Sequence, residues 1–198
     1  PESRFTVSIK YTEYAGHAIE IARHLVERGF RNLLLIGGDG TVNEVVNGIY
    51  TSDIEDKSSV SIALIPYGTG NDWARYWGLY KSKRKISDRF YNCNRVKVDL
   101  GCLTYYVDGE ERKRYFLNGM GVGFDAEVCQ VTDRMKRIYG GHSWVYTLSL
   151  LIAVFKWKPT SMQLIYDDDS IESDVFTIAV GNGCYSGGGL KQVPADPT

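Results

Sequence analysis

The sequence predicts an α/β protein: an N-terminal unit built on a doubly wound parallel sheet, then a mainly antiparallel, sandwich-like β unit. Three observations carry that prediction. Strand-like and helix-like segments alternate through the first half of the chain. Glycine-rich turns stand where two of those strands hand over to helices. After about Arg95 the texture shifts to short strands with few helices between them.

Taken in order, Phe5–Lys10 alternates in the manner of a strand, with branched Thr6, Val7 and Ile9. From Gly16 the period becomes helical: Ala18, Ala22, Leu25 and Val26 share a face, and Gly29 supplies a stop. Asn32–Ile36 is a continuous apolar run, as expected of a strand buried on both faces. A helix is expected from about Thr41 to Tyr50, opened by a Thr41–Glu44 capping box. Val60–Ile65 is the next buried strand, ending at Pro66, and a helix containing Trp73 to Trp77 begins near Asn71, a good N-cap. Val96–Leu100, Tyr115–Leu117, Met162–Tyr166 and Val175–Val180 read as the later strands, which places the boundary between units 1–96 and 97–198. Trp144–Trp157 breaks the β texture. This longest apolar run is shorter than the roughly 20 residues a spanning helix needs. It reads as a buried helix, or as one that lines an apolar pocket or touches a membrane surface.

Composition narrows the function classes. The 198 residues carry 23 Lys and Arg against 24 Asp and Glu, a net charge of -1. That balance argues against coating nucleic acid, which runs on excess positive charge. Aromatic content of 13% excludes low-complexity disorder. Cys93, Cys102, Cys129 and Cys184 form no C-x-x-C, so neither a zinc site nor a disulfide framework is suggested. No signal peptide is read at Pro1–Arg4 and no transmembrane segment is found. The expectation is a cytoplasmic protein, with a peripheral position at a membrane allowed. Lys81 to Lys97 is basic, which suits a solvated face or a patch facing phosphates or anionic lipid.

The strongest chemical signal is Gly37-Gly38-Asp39-Gly40-Thr41, directly after a strand and before a helix. Glycines let the backbone approach a ligand, and a helix N-terminus offers free N–H groups suited to phosphate. The spacing is neither that of a Walker A loop nor that of a dinucleotide fingerprint. A carboxylate between such glycines makes sense if Asp39 holds Mg²⁺ against phosphates or accepts a proton from an attacking hydroxyl. Gly68-Thr69-Gly70-Asn71-Asp72 repeats the arrangement after the second strand: Thr69 can donate to phosphate, Asn71 and Asp72 can cap or coordinate. In a parallel sheet both loops face one crevice. The turn Thr12 to Ala18 adds a third piece, in which Thr12 could touch ribose or phosphate and His17 suits capping or packing. Asp167-Asp168-Asp169 reads as a hairpin turn, Gly181 to Gly189 as tight β turns, and Asp125 as a residue that faces the cleft or packs beside it.

These pieces together resemble the catalytic domain of the diacylglycerol kinase and bacterial lipid kinase family. The matching residues are T-x-x-x-G-H-A at Thr12 to Ala18, GGDGTVNEVVNGI from Gly37 and P-x-GTGND from Pro66. Val98 to Gly101, Asn118 to Asp125, Gly181 to Gly183 and Gly187 to Gly189 extend the match. The resemblance implies an ATP-dependent kinase with Mg²⁺ that acts on a lipid at a membrane surface. Carried over by position, it places nucleotide contacts at Thr12, Gly37 to Thr41, Asn43, Glu44, Gly68 to Asp72, with Asp39 as catalytic and metal-binding candidate. Two segments of the family pattern, an earlier Asn-Pro glycine loop and a later carboxylate-bearing return, are not found. The chain is therefore expected to be truncated at both ends, with its catalytic base beyond Thr198. A soluble-substrate kinase of the NAD kinase or phosphofructokinase type, or an inactive nucleotide-binding module, are the alternatives; the Gly68–Asp72 loop favours the lipid kinase pattern.

Overall fold

The computed structural model describes residues 7–79, 95–140 and 143–194. Helix α1 (His17–Glu27) leads to strand β1 (Asn32–Gly37) and helix α2 (Asp39–Tyr50). A 3-10 turn (Lys57–Ser59), strand β2 (Ser61–Pro66) and the short helix α3 (Asp72–Tyr76) complete the N-terminal unit. β1 and β2 pair in parallel, from Asn32 opposite Ser61 to Gly37 opposite Pro66. That register sets both glycine loops at one carboxyl edge, where open α/β sheets bind ligands. Ala18, Ala22 and Val26 of α1, Leu33 and Leu35 of β1, Val42, Val45 and Ile49 of α2, and Trp73 form the core beneath that edge. α1 and α2 approach closely because Gly48 has no side chain: an added Cβ would lie 2.3 Å from the Ile19 carbonyl oxygen.

The C-terminal unit is antiparallel, as its texture predicts. Strands β3 (Gly101–Val107) and β4 (Glu110–Phe116) form a hairpin. Strand β5 (Gly119–Gly123) pairs with β8 (Thr177–Gly181), while β6 (Thr160–Tyr166) and β7 (Asp169–Val175) form a second hairpin. Its turn lies within the acidic run, with Asp167 at φ 48°. Strands β9 (Tyr185–Ser186) and β10 (Leu190–Lys191) close around Gly187, Gly188 and Gly189, all three at positive φ. Between β5 and β6 stand helices α4 (Phe124–Tyr139) and α5 (Ser143–Lys156), packed through Val131, Met135, Val145 and Ile152.

Several boundaries differ from expectation. Val7–Lys10 forms no strand pair and its side chains are exposed; Phe5 and Thr6 lie outside the described residues. β1 is buried on alternate residues only, because the described helices cover one sheet face and leave Leu34 and Ile36 open. Val96–Leu100 is extended but unpaired, and the strand forms at Gly101–Val107, where β4 offers a partner. α4 was not expected: its first turn follows a glycine-rich strand, which masks the helical period. α2 begins at Asp39, ahead of the expected Thr41. The basic residues Lys81, Lys83, Arg84, Lys85 and Arg89, with Cys93, lie outside the described residues.

The two units are stitched by a buried amide. Asn47 on α2 donates through Nδ2 to the Tyr115 carbonyl at 2.8 Å and accepts from the Tyr115 N–H through Oδ1 at 3.0 Å. One side chain thus continues the β4 edge as a strand would, since a carboxamide presents the same donor and acceptor as a peptide.

Candidate functional site

The two glycine loops touch. A Cβ built on Gly68 would stand 2.6 Å from the Gly38 Cα, and one on Gly38 3.0 Å from the Gly68 Cα. Gly37 is closed by the Thr41 side chain at 2.6 Å in the same sense. Gly38 and Gly68 are needed first for backbone contact between loops, whereas Gly37 makes room for a side chain of the helix that follows it. Gly40 differs: a Cβ there meets nothing within 4 Å, and the residue is exposed. It sits in the first turn of α2, whose N-cap residue Gly38 supplies no side-chain hydrogen bond to the leading N–H groups.

Asp39 clasps the two loops together. Its Oδ2 accepts from the Asp72 N–H and its Oδ1 from the Trp73 N–H, each at 3.0 Å. A carboxylate from the first loop is thereby the cap of α3, whose N-cap residue Asn71 does not cap with its own side chain. Asn71 is left-handed at φ 49° and donates through Nδ2 to the Gly68 carbonyl. The Asp72 carboxylate turns the other way and accepts the Gly188 N–H at 2.9 Å, tying the second loop to the β9–β10 turn. Burial pushes the Asp72 carboxyl above its ordinary value, and the Asp39 charge acts in the same direction; the Gly188 and Gly189 N–H groups and Arg75 oppose it. Asn71 Oδ1 and Asp72 Oδ1 are buried without a hydrogen-bond partner.

Glu44 belongs to a different link than the sequence suggests. Its carboxylate does not reach back within α2; it accepts from the Gly16 N–H at 2.9 Å and the Ala18 N–H at 3.2 Å. It therefore caps α1 and holds the Thr12–Ala18 turn against α2. The expected capping box is absent because α2 starts two residues early, which moves Thr41 inside the helix. His17 accepts the Glu13 N–H on Nδ1 and stacks on Tyr14 with ring centroids 4.4 Å apart, a packing role. Thr12 and Thr69 are both exposed, and Gly70 lies between Asp39 and Asp72: an added Cβ would sit 3.3 Å from one Oδ2 and 3.4 Å from the other. Asp125 accepts from Thr177 Oγ1 at 3.1 Å and from Gln192 Nε2, so it anchors β8 and the β10 edge to α4.

Beside the loops opens a cleft of about 370 Å³, lined by Asp39, Asn43, Trp73, Leu103, Arg114 and Phe116 among others. Sequence reasoning missed Asn47 and Arg114 as parts of this region. Asn47 lay inside the quoted family motif, but its partner is 68 positions away and no local signal points to it.

The donor set fits ATP and Mg²⁺ in part. Open N–H groups at the start of α2 suit phosphate oxygens. Asn71 Oδ1, without a hydrogen-bond partner, and Asp72 Oδ1, whose one neighbour of opposite charge is Arg75 Nε at 3.8 Å, are hard oxygen donors next to Asp39, the chemistry Mg²⁺ takes. No cluster of three or more His, Cys, Asp or Glu able to hold a metal occurs among the described residues, so a cation here would need substrate phosphates or water to complete its shell.

Comparison with known proteins identifies the family. The family pattern of the diacylglycerol kinase catalytic domain matches residues 1–103, and that of the YegS C-terminal NAD kinase beta sandwich-like domain matches residues 118–197. A Chromohalobacter salexigens protein named "Probable lipid kinase YegS-like" is 28% identical over 194 residues, 98% of this chain and 58% of that protein. A Bacillus subtilis protein named "Diacylglycerol kinase" is 29% identical over 199 residues, 98% of this chain and 60% of that one. The crystal structure of a "putative diacylglycerol kinase" from Bacillus anthracis str. Sterne superposes with a TM-score of 0.65 at 25% identity, covering 93% of this chain and 58% of that one. The chain thus spans somewhat under two thirds of the length of these relatives.

Proposed function

This chain belongs to the diacylglycerol kinase catalytic domain family, and on that premise we propose that it is the nucleotide-binding and acceptor-facing part of an ATP-dependent kinase of diacylglycerol or a related lipid. Units 1–96 and 97–198 divide the work, the first holding phosphate and the second walling the acceptor cleft. One observation carries the reading: the open α2 N-terminus and the clasped Asp39–Asp72 pair meet at the mouth of a largely apolar cleft.

The chemistry follows from those residues. N–H groups at the start of α2, with Gly40 leaving room for close approach, receive phosphate oxygens, and Thr69 and Thr12 offer hydroxyls at the rim. Bound Mg²⁺ would neutralise phosphate charge, held by Asp39 and Asp72 with Asn71 Oδ1 as an additional donor. The α3 amides fix the Asp39 carboxylate, so it meets its ligand without first losing rotamer freedom. Trp73, Leu103 and Phe116 provide apolar lining against which an acyl-bearing acceptor can rest. The protein then acts in the cytoplasm, at a membrane that holds its substrate.

The test is transfer of labelled phosphate from ATP, by the full-length protein, into extracted lipids and separately into NAD and sugar phosphates. Label in a lipid supports the reading. Label only in soluble acceptors, or none with intact ATP binding, overturns it.

A further inference from the structure

Strand β4 opens on five consecutive charges, Glu110-Glu111-Arg112-Lys113-Arg114. Glu110 takes Arg112 at 3.6 Å and Glu111 takes Lys113 at 3.8 Å. Arg114 is left over: among the described residues its side chain has neither a hydrogen bond nor an ion pair. Its cross-strand neighbour is the apolar Leu103. Both line the cleft, together with Asp39, Gly40 and Asn43 of α2, and Arg114 is the one cation among the described residues that line it. Its place is fixed by the residue that follows. Asn47 of α2 holds both the N–H and the carbonyl of Tyr115, so β4 cannot slide along α2 without breaking two hydrogen bonds.

Charge and shape say what that guanidinium would meet. It stays protonated throughout the working pH range and offers a planar fork of N–H donors that matches two oxygens of one phosphate. The cleft already holds the Asp39 carboxylate, which the Asp72 N–H ties to the second loop and its own carboxylate. A phosphate entering there meets negative charge, and a cation bound between the carboxylates offsets those carboxylates first. The leading N–H groups of α2 add only partial positive charge. A full positive charge on the facing strand is what a phosphoryl group needs as charge spreads over its outer oxygens. An acyl chain, by contrast, gives an arginine nothing to bind and is better received by Leu103 and Phe116.

We propose that Arg114 is a phosphate-binding residue of the cleft, its guanidinium taking two oxygens of the terminal phosphate of the bound nucleotide from the β4 side while α2 receives that phosphate from the other. Asn47 is then a positioning residue that acts through the Tyr115 backbone. The proposal deepens the kinase reading and rests on it for the nucleotide. Arg114 keeps its proton throughout and takes no part in proton transfer. A phosphoester on an acceptor lipid presents the same chemistry to a guanidinium, so the experiment separates the two sources.

The experiment uses full-length protein with Mg²⁺. Phenylglyoxal modifies free guanidinium groups, and peptide mass spectrometry reads the modification at Arg114. ATP at about ten times its Kd should slow that modification about tenfold. ADP, which lacks the terminal phosphate, and water-dispersed dihexanoyl-phosphatidylglycerol should each slow it less than about twofold. Arg114→Gln should lower kcat about a hundredfold with every acceptor, while KM for the acceptor stays within about twofold. Arg114→Lys keeps the charge but loses the fork, and should fall between the two. Arg112→Gln, on the same strand and paired with Glu110, should remain within about twofold of wild type. The labelling uses wild-type protein and stands whatever the variants do to the fold. Equal labelling with and without ATP overturns the proposal, as does equal protection by ADP and ATP, or Arg114→Gln within about threefold of wild type on every acceptor. Protection by the phospholipid and not by ATP also overturns it, and assigns Arg114 to an acceptor headgroup instead. Protection by ATP with no phosphate transfer to any acceptor sinks the kinase reading and leaves the phosphate site standing.

Discussion

Two strand–loop–helix units stand side by side at one sheet edge, and they are not equivalent. β1 runs through Gly37–Gly40 into α2, a helix of 12 residues with no side-chain cap and open space at Gly40. β2 runs through Gly68–Gly70 into α3, a helix of five residues whose first N–H groups are taken by Asp39. The first unit therefore offers its helix terminus to a ligand, while the second has its terminus already satisfied from within the fold. The same local pattern leaves one helix terminus without a side-chain cap and makes the other a structural buttress. What separates them is where one carboxylate points.

The largest effect should come from that carboxylate. Asp39→Asn should lower phosphotransfer by about a thousandfold, on the order of 4 kcal/mol in the barrier. The fold should survive at a cost of about 1 kcal/mol, because the amide oxygen still accepts one α3 N–H while its NH2 faces the other. Activity above a tenth of wild type would mean that Asp39 is a cap alone, and the contrast between the loops would lose its chemical half.

Glycine substitutions sharpen the comparison next. Gly68→Ala forces a methyl against the Gly38 backbone and should cost about 2–3 kcal/mol, since neither backbone can yield cheaply. Gly40→Ala enters open space and should fall within about 0.5 kcal/mol of wild type. Urea denaturation of both reads the difference, and equal costs would show that the loops do not press on each other as described.

Smaller still is the cap from Glu44. Glu44→Gln should cost about 1 kcal/mol, the worth of a charged cap at the α1 N-terminus. An unchanged denaturation midpoint would break the claim that α1 is held from α2.

The smallest effect is a pH dependence. The Asp72 carboxyl is raised from its ordinary 3.8 by burial, so its protonated form is the better tolerated one in the fold. Its contribution is fully present below about 3.8 and lost as pH rises through the raised value. Asp72→Asn cannot titrate, yet it can still accept the Gly188 N–H. The melting temperature of this variant relative to wild type should therefore climb from acid toward neutral pH. A flat or falling difference would rule out burial as the cause.

How much of this was legible beforehand depends on the range of the interaction. Strand and helix order from α1 to α3, the two glycine loops, the acidic hairpin turn and the Gly187–Gly189 turn were readable, because each rests on local backbone preference or a short periodic pattern. The family motifs were readable for the same reason: contiguous residues mark the places where a chain must approach a ligand or itself. The helix α5 followed from its apolar run, though which of its faces is covered did not. The roles of Glu44, Asp39 and Asn47 were not readable. Glu44 was placed in a capping box by spacing, and its donors proved to be backbone N–H groups 26 and 28 positions away. Asn47 meets a strand edge 68 positions on. Sequence alone determined which segments turn, which need glycine freedom and which carry the family's motifs, since those are choices of local torsion and side-chain type. Tertiary structure decided which donor each carboxylate and amide would satisfy, because a polar group entering the interior takes whatever partner packing sets within reach, at whatever distance along the chain.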